Sequence, residues 1–114
     1  MNVVELEALD RAVVVALGGK PTDGFHHDFA DLPDPAAFPV LREHDGDWAR
    51  CPFLPSTRWE HGGPIIEREG ISIVLMGAAN RPLDDYWAAE CGDSRGVGRT
   101  PLIAAMRAFV ASKK

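Results

Sequence analysis

The sequence predicts an α+β fold, with a small three-stranded antiparallel sheet, N- and C-terminal helices packed on one of its faces, and a long proline-rich ordered loop. Apolar residues recur at helical spacing near both ends of the chain, and they alternate in the middle. Prolines and glycines interrupt residues 20–55, which lie between the first helical pattern and the alternating region. At 114 residues the chain fits one domain, 1–114. We expect, in order, a helix (1–19), a loop-rich segment (20–63), an antiparallel meander (64–91) and a C-terminal helix (100–113).

The first helix contains an acidic residue on its apolar side. Residues 3–17 form an amphipathic pattern that ends at Gly18. Asp10 falls inside the apolar sector, where an unpaired carboxylate is costly, so it must find a donor, reach solvent or have a raised pKa. Two interpretations stay open. Asp10 is either a structural acceptor that holds a loop on the helix or a carboxylate that faces a ligand.

The segment 20–55 is too rich in proline for a long helix or a central strand, but its aromatic residues favour an ordered loop. His26 and His27 are adjacent and have no second cluster at ligand spacing, so we expect no metal and no cofactor. Cys51 and Cys91 are far apart without a CxxC motif, and we interpret both as free thiols.

Residues 55–71 combine several functional groups in a short stretch, and the rest of the chain can be placed around them. Gly62 and Gly63 could expose consecutive backbone donors for an anion before Pro64 starts a strand. Around them stand two hydroxyls, an indole and an imidazole: Ser56, Thr57, Trp59 and His61.

The meander is predicted from alternation. Residues 65–67 and 71–76 read as two strands joined by 68–70, with Gly70 in the left-handed conformation. Residues 85–90 supply a third strand, and 92–99 a turn.

The face that carries Ile71, Ile73 and Leu75 is expected to meet the helices. The opposite face, with Ser72, Val74 and Met76, is only partly apolar. It could be covered by the proline-rich loop or by a second subunit.

The last helix is predicted to start at Thr100, a capping hydroxyl followed by proline. Arg107 lies at the margin of its apolar stripe. The preceding Gly96 and Gly98 could suggest a phosphate cradle, but Walker spacing is missing and an ordinary glycine-rich loop is favoured.

Composition excludes some classes of partner. With 17 acidic and 12 basic residues the formal net charge is −5, which disfavours nucleic acid and anionic membrane surfaces. The sequence has no leader pattern and no apolar run long enough for a membrane span. We therefore expect a cytoplasmic protein.

Three segments, ALDRAV at 8–13, PSTRWEHGGPIIERE at 55–69 and TPLIAAMRAFVASK at 100–113, resemble the uncharacterised NinX-like family of small phage and prophage proteins. The resemblance implies a phage or prophage origin, hence the cytoplasm of a bacterial host, and a domain of unknown function. It supplies no catalytic residues. The positions that match the family's pattern are Asp10, Ser56, Thr57, Trp59, Gly62, Gly63, Pro64, Glu67 and Arg107.

The favoured function is a non-enzymatic binding module for a host protein or a small ligand, because the polar and aromatic 56–64 stretch comes without an assembled catalytic motif. We expect the site where this stretch meets the helices, with Asp10 and Arg107 as its charged contributors. The candidate ligand-binding residues are Asp10, Ser56, Thr57, Trp59, His61, Gly62, Gly63, Glu67 and Arg107.

Two alternatives stay open. The protein could have a structural or assembly role, as a homodimer formed through the partly apolar sheet face. It could also be a small hydrolase-like enzyme that uses His61 with Asp10 or Glu67, although no hydrolase motif is present.

Overall fold

The computed structural model describes residues 3–20, 32–33, 52–76 and 87–113. Its helices and strands are α1 (Val3–Ala16), α2 (Trp59–Glu69), β1 (Ser72–Leu75), β2 (Trp87–Cys91), β3 (Ser94–Gly98) and α3 (Pro101–Ser112). The predicted α+β class with a three-stranded antiparallel sheet is confirmed.

The sheet is a meander in the order β1-β2-β3, with both neighbouring pairs antiparallel. Ile73 lies opposite Ala89, which lies opposite Gly96, and these three share the inner face. The predicted membership of the sheet was partly wrong. Residues 65–67 are helical, and β3 occupies most of the expected turn at 92–99.

Helix α2 replaces the predicted first strand. Pro64 stands inside it, where proline removes a backbone donor and would normally disfavour a helix. Against that cost, helical spacing brings His61 and Ile65 to one buried side. Gly70 has the predicted left-handed conformation, with φ 63°, but it ends a helix instead of turning a hairpin, and its N–H donates to the Ile66 carbonyl.

Helix α3 forms the centre of the core. It packs most extensively on β3, less on β2 and least on β1, and α1 and α2 pack against it. At Gly96 an added Cβ would lie 2.5 Å from the Ala104 carbonyl oxygen and in collision with the Ala108 nitrogen. Glycine therefore permits the close approach of α3 to β3, which accounts for Gly96 by packing.

The predicted inner face of β1 is only partly buried. Ile71 is buried and Ile73 packs partly buried against the core, but Leu75 at the end of the strand is 49% exposed. Cys91 is a buried free thiol, as predicted. Cys51, His26 and His27 lie outside the described residues.

None of the helices in the described ranges combines the length and apolarity needed to cross a membrane.

Candidate functional site

Asp10 joins α1 to the turn that precedes α2. Its side chain is only 3% exposed, and Oδ1 accepts a hydrogen bond from the Ser56 backbone N–H at 2.9 Å. Burial raises the pKa of Asp10 to about 6, and the bonds from Ser56 oppose that rise. This contact is the one that the structural interpretation of Asp10 requires.

The Ser56 hydroxyl is buried with Asp10. Ser56 is 1% exposed, and among the described residues its Oγ has no partner in hydrogen-bond geometry. The hydroxyl still lies near enough to the carboxylate to lower the pKa of Asp10. A buried hydroxyl without a well-formed bond is costly.

His61 is a buried acceptor. Its Nδ1 accepts the Leu54 backbone N–H at 2.9 Å, so Nε2 carries the proton of the neutral ring. The ring stacks on Phe53 with centroids 5.9 Å apart. Burial lowers the pKa of His61; Glu60 opposes this effect and Arg58 adds to it. The imidazole is therefore neutral at pH 7 and holds the 54–61 turn together.

No described contact joins His61 to Asp10 or Glu67, the pairing on which the hydrolase alternative depends. Glu67 is exposed on α2.

The two adjacent glycines lie inside α2 and do not form an anion-binding turn. The Gly62 N–H donates to the Arg58 carbonyl at 2.9 Å within the first turn of the helix. A Cβ on Gly62 would lie 2.5 Å from the Pro55 carbonyl oxygen and 2.7 Å from Leu102 Cδ2, whereas one on Gly63 would meet nothing within 4 Å. Gly62 thus permits close packing, and the predicted backbone donors are used by the helix.

Trp59 is the exposed aromatic residue of the region. It is the first residue of α2 and is 53% exposed. Beside it lies a cavity of about 290 Å³ between α1, the turn before α2 and the start of α3. Its lining residues are Leu6, Ser56, Thr57, Trp59, Thr100, Pro101, Leu102 and Ile103. We call this cavity the Trp59 pocket.

Three of the predicted site residues, Ser56, Thr57 and Trp59, line the Trp59 pocket together. Arg107 does not line it, because its Nη1 donates to the Val97 carbonyl at 2.7 Å on the β3 side of α3. Glu67 also lies outside the lining.

Sequence reasoning missed Leu6 and the first turn of α3 as pocket residues. The Thr100-Pro101 signal located the start of that helix but carried no information about what would face it.

A second groove, of about 510 Å³, runs between α1 and α3. It is mainly apolar and has Arg11 and Lys113 among its lining residues. Lys113 Nζ already contacts the Glu69 carboxylate at 3.2 Å. No sequence pattern indicated this groove.

Comparison with curated proteins finds no significant match to this sequence. A family model described as "Bacteriophage P22, NinX" matches residues 4–113, which is nearly the whole chain and includes the three segments singled out above. The chain therefore belongs to the bacteriophage P22 NinX family.

Proposed function

We propose that this phage-family protein is a non-enzymatic binding module that captures an apolar side chain of a host protein in the Trp59 pocket. The observation that carries the proposal is a large aromatic residue, 53% exposed, at the mouth of an apolar cavity. Exposed tryptophan beside a pocket is the usual composition of an energetic hot spot in a protein interface.

The size of the cavity favours a protein partner over a free small ligand. Pockets for drug-sized molecules hold roughly 300 to 1,000 Å³. The Trp59 pocket, at about 290 Å³, lies at the lower limit of that range and suits one side chain presented by a larger surface. Three of the lining residues, Ser56, Thr57 and Thr100, carry hydroxyl groups, and that of Ser56 is buried; the other five are apolar or aromatic.

The charged contributors that the sequence suggested, Asp10 and Arg107, have other roles in this proposal, and Arg107 donates to the Val97 carbonyl. His61, another buried polar candidate, has a similar supporting role to Asp10. Asp10 accepts the Ser56 backbone N–H, and His61 accepts the Leu54 backbone N–H. Through these two bonds the side chains hold the pocket wall in place. Binding energy then comes from Trp59 and its neighbours, and the buried polar pair supplies rigidity.

The test compares Trp59→Ala with Val97→Ala, an exposed apolar position on β3 that does not line the pocket. Each variant and the wild type would be immobilised on a resin and incubated with bacterial lysate. The affinity of any captured protein would then be measured with purified components. We expect Trp59→Ala to weaken binding at least tenfold with an unchanged melting temperature, and Val97→Ala to bind like the wild type.

A probe that needs no partner completes the test. Indole should shift the NMR signals of Leu6 and Ile103 saturably in the wild type and not in Trp59→Ala. His61→Ala should melt early, because it leaves the partly buried Leu54 N–H without its acceptor. Equal capture by Trp59→Ala, or no capture and no indole shift, contradicts the proposal.

A further inference from the structure

The two edges of the sheet are built differently. Because the order is β1-β2-β3, both β1 and β3 are edge strands of the described sheet. Edge strands present unpaired backbone groups that can pair with another chain, and proteins usually protect them with charged side chains, with prolines or with a covering helix or loop.

The β3 edge has such protection. Its sequence Ser94-Arg95-Gly96-Val97-Gly98 contains a charged side chain, the exposed Arg95. The Arg107 guanidinium of α3 also donates to the Val97 carbonyl at 2.7 Å, so one backbone acceptor of this strand is already engaged by a side chain.

Among the described residues, the β1 edge has none of these features. The run from Ser72 to Met76 is uncharged and free of glycine and proline, and β2 is its only partner among the described strands. Three consecutive residues are exposed, Val74 by 56%, Leu75 by 49% and Met76 by 40%. Successive residues point to opposite faces, so this strand end is uncovered on both faces.

The placement of α3 explains the uncovered inner face. The helix packs most extensively on β3 and least on β1, so it does not bury Leu75 at the far edge. Another strand added beside β1 would cover Val74 from one face and Leu75 from the other.

We propose that β1 pairs antiparallel with β1 of a second copy of this chain, which joins the two meanders into one continuous sheet. Antiparallel pairing about a two-fold axis at Val74 is self-complementary. It sets Val74 against the partner's Val74, Ile73 against the partner's Leu75, and Ser72 against the partner's Met76. Every pair is neutral, so the contact avoids the like-charge repulsion expected elsewhere between two chains of net charge −5.

The contact is small. A short strand pair buries less than the roughly 800 Å² per partner of a standard stable interface. We therefore expect a reversible dimer whose population rises with protein concentration over the micromolar range.

The test uses sedimentation velocity over a concentration series, with Val74→Lys and a matched control, Val97→Lys. Val74 and Val97 occupy the same cross-strand row, opposite Ala88, at the two edges of the sheet, and both are exposed. Val74→Lys should raise the dissociation constant of the dimer at least tenfold, and Val97→Lys should change it less than twofold.

Leu75→Lys provides a second disrupting variant if Val74→Lys fails to fold, as judged by circular dichroism. In the wild type, amide exchange in residues 72–76 should slow with concentration while exchange in residues 94–98 does not. A monomer at every concentration overturns the proposal. Equal weakening by Val74→Lys and Val97→Lys also overturns it, since that result indicates stacking of whole sheet faces.

Discussion

Burial affects the charge states of Asp10 and His61 in opposite directions. It raises the pKa of the carboxyl group and lowers the pKa of the imidazole, because both groups are disfavoured in their charged forms. Each is held by one backbone N–H, from Ser56 and Leu54 respectively. Both side chains therefore stabilise the turn before α2 as hydrogen-bond acceptors; at pH 7 Asp10 is mainly a carboxylate and His61 is a neutral ring.

For Asp10 the expected pH dependence follows from a folded-state pKa of about 6 against its ordinary value of 3.8. Below pH 3.8 the group is protonated in both states. Between those values the unfolded chain releases a proton that the folded chain keeps, so the free energy of unfolding falls as pH rises. Well above pH 6, the free energy of unfolding is about 3 kcal/mol lower than it is below pH 3.8.

Asp10→Asn retains an acceptor for the Ser56 N–H and removes the charge. Its stability relative to the wild type should therefore rise by about 2 kcal/mol between pH 4 and pH 7, as measured by urea unfolding. His61 has the opposite trend, because its pKa is lowered by folding: stability is lost as the pH falls below 6.5, the ordinary pKa of histidine. That trend is common to both proteins and cancels in the difference. A difference that does not vary with pH would contradict the assigned burial of Asp10.

Gly62 and Gly63 form a natural matched pair in α2. Gly62→Ala should cost about 2 kcal/mol, because its Cβ would collide with the Pro55 carbonyl and Leu102. Gly63→Ala should lie between neutral and about 1 kcal/mol more stable: alanine favours a helix, but Pro64 restrains the residue before it. Thermal melts of the two variants would check the order, and a destabilised Gly63→Ala with an unaffected Gly62→Ala would refute the close packing.

At the scale of elements, α2 and α3 begin in different ways. The Thr100 hydroxyl accepts the Ile103 N–H at 3.2 Å, whereas Arg58 at the start of α2 makes no side-chain capping bond. Helix α3 therefore has a local signal for its start, and α2 depends more on the burial of Ile65.

Two substitutions separate capping from packing in α3. Thr100→Ala should cost about 1 kcal/mol through the lost cap. Phe109→Ala should cost on the order of 3 kcal/mol, because the ring is fully buried and its removal opens a cavity. Urea denaturation measures both, and a larger loss for Thr100→Ala would mean that the helix is not docked on the core through Phe109.

At the scale of the whole molecule, α3 contacts all three strands and both other helices. The helix backbone comes very close to the sheet at Gly96, where it leaves no room for a Cβ. The position of α3 on the sheet therefore depends on a residue without a side chain.

Gly96→Ala should destabilise the protein by at least about 2 kcal/mol, since α3 must move away from β3. Val97→Ala, at the neighbouring outward position, should stay within about 1 kcal/mol of the wild type. Calorimetric melting temperatures of the two variants provide the measurement. Equal stability would show that the close approach of α3 and β3 tolerates a methyl group.

The sequence by itself determined the features that depend on neighbouring residues. Helical spacing identified α1 and α3, the Thr100 hydroxyl identified the start of α3, and Gly70 was correctly assigned its left-handed conformation. Each of these signals acts within one or two turns of chain, so local physics suffices to predict it. Ser56, Thr57 and Trp59 line one cavity for the same reason, since they are close in sequence.

The tertiary structure decided what those local signals left ambiguous. Pro64 and the two glycines argued against a helix at 59–69, but burial of Ile65 and His61 against the core favours it. The same long-range packing placed Leu6 and the start of α3 around Trp59, and it directed Arg107 towards β3. Contacts between residues far apart in sequence add free energy that no local window contains, and here they outweighed the local propensities.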